Sequence, residues 1–172
     1  MTQLAAEQQE LLAQRFDGVL TGPDDPTYEA LRRCFNGMVD RRPRVIAECR
    51  GTADVVAAVR FAVSEGLELA VRGGGHSPAG RAVCDDGLVV DLGPMHAVDV
   101  DPEARLARVQ GGARWRDVNR EAGVHGLAVT GGLISSTGVG GYTLGGGLGW
   151  LMGMHGLAVD NLVEAEVVLA SA

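Results

Sequence analysis

The 172-residue chain contains no lysine; all fifteen of its basic residues are arginine. A Walker-A loop needs its Lys to reach the phosphates, and a pyridoxal Schiff base needs a lysine amine, so both classes drop out. A basic surplus is missing as well. The formal charge is −7, whereas a nucleic-acid binder carries a basic face, so no nucleic-acid partner is expected. Cysteine is scarce. Cys34, Cys49 and Cys84 are odd in number, too scattered for a zinc cluster, and fit a reduced, cytoplasmic setting. No apolar run approaches the roughly 20 residues of a membrane helix. The polar opening stretch MTQLAAEQQELLAQRF has no signal-peptide core. The expectation is a soluble protein with no membrane partner.

Glycine, by contrast, is abundant. There are 26 glycines, against a usual share of about 7%, and no collagen-like period accompanies them. The excess therefore serves turns and close backbone approaches. With 46% hydrophobic residues, the chain can bury a core, and its length suits one domain with a small appendage.

Leu4, Leu11, Leu12 and Phe16 fall near one helical stripe, and Gly18 to Pro26 then breaks the pattern. A second short helix is expected over Tyr28 to Phe35. Residues 1–40 read as a helical N-terminal arm. From Val45 the rhythm changes: VIAEC reads as a strand, and Thr52 as the N-cap of a helix with Val55, Val59, Ala62 and Val63 on one face and Gly66 as its stop. LELAV is the next strand and runs into Arg72-Gly73-Gly74-Gly75-His76-Ser77. LVVDL follows, then a hairpin turning at Asp101 and Pro102, a helix over ARWRDVNREAG, and a final strand in NLVEAEVVLA. Strands alternating with helices give an α/β or α+β class with a mixed sheet. That last strand reaches the chain end with no turn or cap after it, the pattern expected of a domain cut short.

Two glycine-rich segments carry the chemistry. In RGGGHS, three successive glycines remove every Cβ and let backbone N–H groups converge on an anion such as a pyrophosphate; an ordinary flexible turn is the competing reading. In residues 131–156, eleven of 26 residues are glycine, interleaved with Leu144, Leu148, Trp150, Leu151 and Met152, too apolar for a linker. Ser135, Ser136, Thr137 and Thr143 supply hydroxyls for phosphate or ribose. Neither segment gives a strict G-x-G-x-x-G, so a Rossmann site is not supported. Two such loops about sixty residues apart suggest a large dinucleotide held by another fold. His96 and His125 read as surface turn residues, Asp85-Asp86 as a solvated turn rather than a metal site, and Trp115 and Trp150 as core.

Four segments, LAVRGGGHSPAG, VVDLGPMHAVDVD, ARVQGGARWRDVN and STGVGGYTLGGGLGWLMGMHGLAVDNL, match in order and spacing a known pattern. Over roughly residues 41–172 the chain resembles the PCMH-type FAD-binding domain of berberine-bridge-enzyme-like oxidases, within the vanillyl-alcohol-oxidase superfamily. The resemblance implies an α+β fold of two small subdomains, around 45–91 and from about 98 on, with FAD between them. It implies a covalent bond from His76 to the C8 methyl of FAD. It also implies a pyrophosphate held by amides around Arg72, Gly73, Gly74, Gly75, His76 and Ser77 and around Thr137, Gly138, Gly140, Gly141 and Thr143, with Asp160 and Asn161 close to the flavin. Many members add a cysteinyl link, but Ile134 stands at that position, so only one link is expected. His155 stands where many relatives carry an aromatic residue, so packing near the flavin-binding segment is expected of it.

The reaction implied is oxidation of a small organic substrate by hydride transfer to FAD, with dioxygen as the electron acceptor. Full-length relatives carry a separate substrate domain, and no residue of 1–172 is assigned as catalytic base. Two alternatives stay open: a non-catalytic FAD-binding fragment, and a reductase that shares the domain but holds FAD non-covalently.

Overall fold

The computed structural model describes Leu4 and residues 6–171. In chain order these form α1 (Ala6–Ala13), β1 (Val19–Thr21), α2 (Tyr28–Leu31), β2 (Val45–Glu48), α3 (Thr52–Ser64), β3 (Leu69–Arg72) and β4 (Leu88–Asp91). A hairpin of β5 (Val98–Asp101) and β6 (Leu106–Val109) follows, then α4 (Trp115–Val124), α5 (Val139–Leu144), α6 (Met152–His155) and a 3-10 turn (Val159–Asn161). The class is α+β.

The first sheet has the order β1-β2-β4-β3, with β4 parallel to both β2 and β3 and β1 antiparallel to β2. Its two central strands are apolar on both faces, as strands covered on both sides must be. Val45, Ala47, Leu88 and Val90 point into a core shared with Ala58, Val59, Phe61 and Ala62 of α3. Their neighbours Ile46 and Val89 point the other way, to Tyr28, Ala70, Val83 and Cys84. Tyr28 is buried, and its hydroxyl donates to Pro43 O at 2.7 Å, which satisfies the only polar atom it brings inside. Cys49 and Cys84 lie in these two cores. All three cysteines are free thiols, and burial pushes Cys49 up to about 12 and Cys84 to about 11.

Described residues ahead of β2 join both the core and the sheet. Leu4, Leu12 and Phe16 belong to the α3 core, and β1 adds an edge strand through Val19↔Glu48, Leu20↔Ala47 and Thr21↔Ile46. Gly51, not Thr52, caps α3. Asp54, in the first turn, ties the helix to the chain ahead of it instead: its buried carboxylate accepts the amides of Asp17 and Arg50, each at 2.8 Å. Gly66, at φ +62°, ends the helix as expected. Val63 lies outside the helix's apolar face and is exposed.

The second unit packs the β5–β6 hairpin on α4, with Trp115, Val118 and Ala158 at its centre. The hairpin turns where Asp101 Oδ1 accepts the amides of Glu103 and Ala104. Two expectations fail here. Trp115 is buried, but Trp150 is 83% exposed. Gly149 makes the close approach instead, since a Cβ there would lie 3.1 Å from Gly131 N, and the next residue turns outward. The expected strand over residues 161–170 is absent too. Apart from the 3-10 turn at its start, the segment is irregular and pairs with no edge of either sheet. It is fastened by side chains, with Thr52 Oγ1 donating to Glu166 Oε1 at 2.7 Å and Val168 packing on the first core.

Candidate functional site

The parallel strands β3 and β4 end side by side at Arg72↔Asp91, with Glu48 of β2 opposite Asp91 on its other side. Arg72 and Asp91 are both buried, and Arg72 Nη2 lies 2.5 Å from Asp91 Oδ2. Arg72 Nη1 also donates to Leu31 O, which ties the strand end to α2. The second Asp91 oxygen accepts the amide of Gly93 at 3.0 Å. Burial, and then the Asp91 charge, holds the Glu48 carboxyl above its usual range. Arg72 thus anchors the loop it introduces, and the first residue expected in the site serves as its footing.

From that footing the chain runs through Gly73, Gly74, Gly75, His76 and Ser77. Among the described residues, none of these five amides donates a hydrogen bond to the protein. Gly75 has φ +68°, a conformation open to glycine and costly for most other residues. The second glycine segment lies against the first, backbone to backbone. A Cβ on Gly74 would run into Gly138 N and Cα, and one on Gly138 would lie 2.7 Å from Gly74 Cα. Gly138 caps α5, whose first turn carries Gly140 and Gly141. The Trp115 amide donates to Thr137 O at 3.0 Å and the Val139 amide to Ala113 O at 2.9 Å, which fixes this junction to the start of α4. The structure therefore brings together the two loops that the sequence kept sixty residues apart.

A cavity of about 380 Å³ opens beside the first of these two loops. Its lining includes Phe35, Arg72 to His76, Asp91, Gly93 and Arg114, and no residue of the second glycine segment. The position, outside the carboxyl ends of parallel strands, is the usual place for a ligand in such sheets. A row of unpartnered amides beside guanidinium groups suits an anion. Among the described residues no group of His, Cys, Asp and Glu gathers to hold a metal ion, and no helix is long and apolar enough to cross a membrane.

His76 sits at the cavity wall. Its Nε2 lies 3.1 Å from Ser136 Oγ, and its ring stacks on Phe35 with centroids 4.3 Å apart at 14°. Burial, and then the Arg114 guanidinium, holds the imidazole below its ordinary value of 6.5. The unfolded chain therefore takes up its proton first as the pH falls through 6.5. Stability is expected to drop from there down to the lower folded value. Denaturant titrations across that window should show a shallower decline in His76→Gln than in the wild type.

Other expected site residues lie apart from the loop. Thr143 is buried in α5. Asp160 Oδ2 accepts the Leu157 amide at 2.8 Å, and Asn161 Nδ2 donates to Thr130 Oγ1, His155 O and Leu157 O. This pair closes its own turn, and Asn161 spends its donors there. His96, His125 and His155 are exposed, as are Asp85 and Asp86. Ser136, expected to face phosphate or ribose, faces His76. Phe35 and Arg114 were not expected here. Phe35 lies in the N-terminal segment, 41 positions before its ring partner, and no local pattern announces the contact.

Residues 43–172 match the family model described as FAD binding domain. The chain is 39% identical over 154 residues to (R)-6-hydroxynicotine oxidase of Paenarthrobacter nicotinovorans, covering 90% of this chain and 34% of that one. Among solved structures, wild-type BBE-like 1 of Physcomitrella patens superposes with a TM-score of 0.87 at 25% identity, over 95% of this chain and 36% of the other. A glucooligosaccharide oxidase from Acremonium strictum, described with a 6-S-cysteinyl, 8α-N1-histidyl FAD, gives a TM-score of 0.81 at 33% identity, over 89% and 32%. The chain spans about a third of the length of these relatives.

Proposed function

The chain belongs to the FAD binding domain family of berberine-bridge-like FAD-linked oxidoreductases, and we propose that it holds the FAD of an oxidase of small organic substrates, with His76 as the covalent attachment point. One observation carries this reading: two glycine loops meet backbone to backbone and leave a run of unpartnered amides beside a fixed imidazole. The residues fit the group. At Gly74 and Gly138 any Cβ would force the two loops apart, and among the described residues the amides of Gly73 to Ser77, with those of Gly138, Gly140 and Gly141, have no protein acceptor and could receive the pyrophosphate. Arg114 adds a positive charge at the same wall.

FAD held there would supply a two-electron acceptor for oxidation of the substrate, with dioxygen as the terminal acceptor. His76 would hold the flavin through a C–N bond from its imidazole to the C8 methyl carbon. Forming that bond would release one methyl hydrogen and the imidazole N–H hydrogen as two protons, with dioxygen as the final acceptor of the two electrons. The attachment withdraws electron density from the ring and fixes it in place. Ile134, 60% exposed, has no thiol for a second link. The relatives' names point to substrates such as hydroxynicotine and oligosaccharides, and we assign this chain the broader class of small organic molecules.

Intact-protein mass spectrometry after FAD loading tests the proposal. The wild type is expected to carry one covalent flavin and His76→Ala none, with the modified peptide containing His76 and no cysteine. Covalent flavin retained by His76→Ala would overturn the assignment. A wild type that binds FAD only reversibly would favour the non-covalent branch.

A further inference from the structure

The surroundings of His76 are more specific than an attachment point alone requires. Phe35 is 70% exposed, yet its ring lies flat on the imidazole. An aromatic ring left in solvent contributes little to a core, so its contact with the imidazole is what the position offers. The backbone reinforces that contact. The Phe35 amide donates to Gly75 O at 2.9 Å, and Asn36 Nδ2 donates to Pro78 O at 2.8 Å. Residues 35–36 thus bracket the loop on both sides of His76. From the other direction, Ser136 is held between two fixed carbonyls, since Ser135 O accepts the Arg116 amide and Thr137 O the Trp115 amide, each at 3.0 Å. Its Oγ reaches only one imidazole nitrogen, Nε2. Among the described residues Nδ1 has no hydrogen-bond partner.

A neutral imidazole carries one N–H and one lone pair, and the partner of one nitrogen decides the role of the other. We infer that Phe35 and Ser136 are positioning residues for His76: Phe35 fixes the plane of the ring, and Ser136 Oγ accepts the Nε2–H, so that Nδ1 presents its lone pair for the bond to flavin. The inference rests on the proposed attachment at His76 and adds what holds and aims its ring. Burial and Arg114 support it by keeping the ring neutral.

The first test needs no flavin. Imidazole nitrogen NMR of the 172-residue chain, with His76 assigned by its loss in His76→Ala, is expected to show one tautomer, protonated at Nε2. Phe35→Ala and Ser136→Ala should relax it toward the mixture shown by the exposed His125 and His155, whereas Phe35→Trp should retain it. Because Phe35 is mostly exposed, its thermal midpoint should hardly move, so a lost signature cannot be laid to unfolding. The second test adds FAD and separates acid-stable from total bound flavin. In Phe35→Ala and Ser136→Ala the covalent fraction at a fixed time should fall roughly tenfold or more, the order expected when a reacting atom loses its orientation, with total binding retained. A wild-type ring protonated at Nδ1, or an unchanged covalent fraction in both variants, would overturn the inference. Covalent flavin surviving in His76→Ala would instead remove the attachment reading beneath it, a result that leaves the tautomer measurement standing on its own.

Discussion

Arg72→Ala is expected to cost about 3–5 kcal/mol of stability, because it strands the buried Asp91 carboxylate without its partner. Against a typical total of about 5–15 kcal/mol, a loss of that size leaves the fold marginal at best. Three contacts go together: the ion pair, the bond to Leu31 O that ties β3 to α2, and the positive charge that offsets Glu48 and Asp91 side by side. The pH dependence identifies the cause. With Arg72 gone, the Glu48 carboxyl loses a charge that pulls it down and lies further above its usual range. Such a group favours the fold when protonated, so the gap between variant and wild type should narrow as the pH falls. Arg72→Met combined with Asp91→Leu should recover most of the loss, since well-packed apolar pairs commonly replace buried ion pairs. Urea titrations at neutral and acidic pH would measure all of this. A cost below about 1 kcal/mol for Arg72→Ala, the value of an exposed pair, would show that Asp91 has access to water.

Gly74→Ala is the second large effect expected, and it separates binding from folding. The new methyl group meets the backbone of Gly138, which has no flexible end to move aside. The two loops must part, at a cost of roughly 1–3 kcal/mol from overpacking. Parting them also misdirects amides aimed at the pyrophosphate. Two charge-assisted hydrogen bonds lost at about 1.5–3 kcal/mol each correspond to FAD binding weaker by roughly 10²–10⁴-fold. Gly123→Ala is the control, because a Cβ there, within α4, meets nothing within 4 Å. It should leave binding unchanged and raise stability slightly through helix propensity. Fluorescence titration with FAD, alongside thermal melts, reads both quantities. Wild-type affinity in Gly74→Ala would mean that the loop junction is not where FAD is held.

Much of this architecture was legible where the local pattern and the tertiary demand coincide. Apolar runs such as VIAEC and LVVDL became central strands because strands covered on both faces need continuous apolar side chains. The hairpin at Asp101 and the end of α3 at Gly66 followed from turn chemistry. What was not legible depends on distance along the chain. β1 has three residues, and its pairing with β2 is what makes it a strand. Residues 161–170 have the composition of a strand, but no edge receives them. Trp150 looks like core by type, yet the neighbouring Gly149 takes the close contact. At the site, glycine spacing pointed to both loops, while their meeting at Gly74 and Gly138, and the approach of Phe35 to His76, join residues 41 to 64 positions apart. A chain can encode such contacts without displaying them locally.

The strand order β1-β2-β4-β3 also bears on the sequence of events in folding. Helix α3 connects β2 to β3, but those strands share no hydrogen bond, because β4 lies between them. A β2-α3-β3 unit on its own would leave a gap one strand wide. The gap closes only when residues 88–91 arrive, after the chain has passed through the loop containing His76. Arg72 can meet Asp91 only at that moment, so the footing of the loop and the closure of the sheet are a single event. Such nonlocal insertion belongs late on a folding path, after local helix formation, since its loop-closure entropy must be met before its contacts form. Conservative truncations in β4, such as Val90→Ala, should then mainly accelerate unfolding, and those in α3 should mainly slow folding.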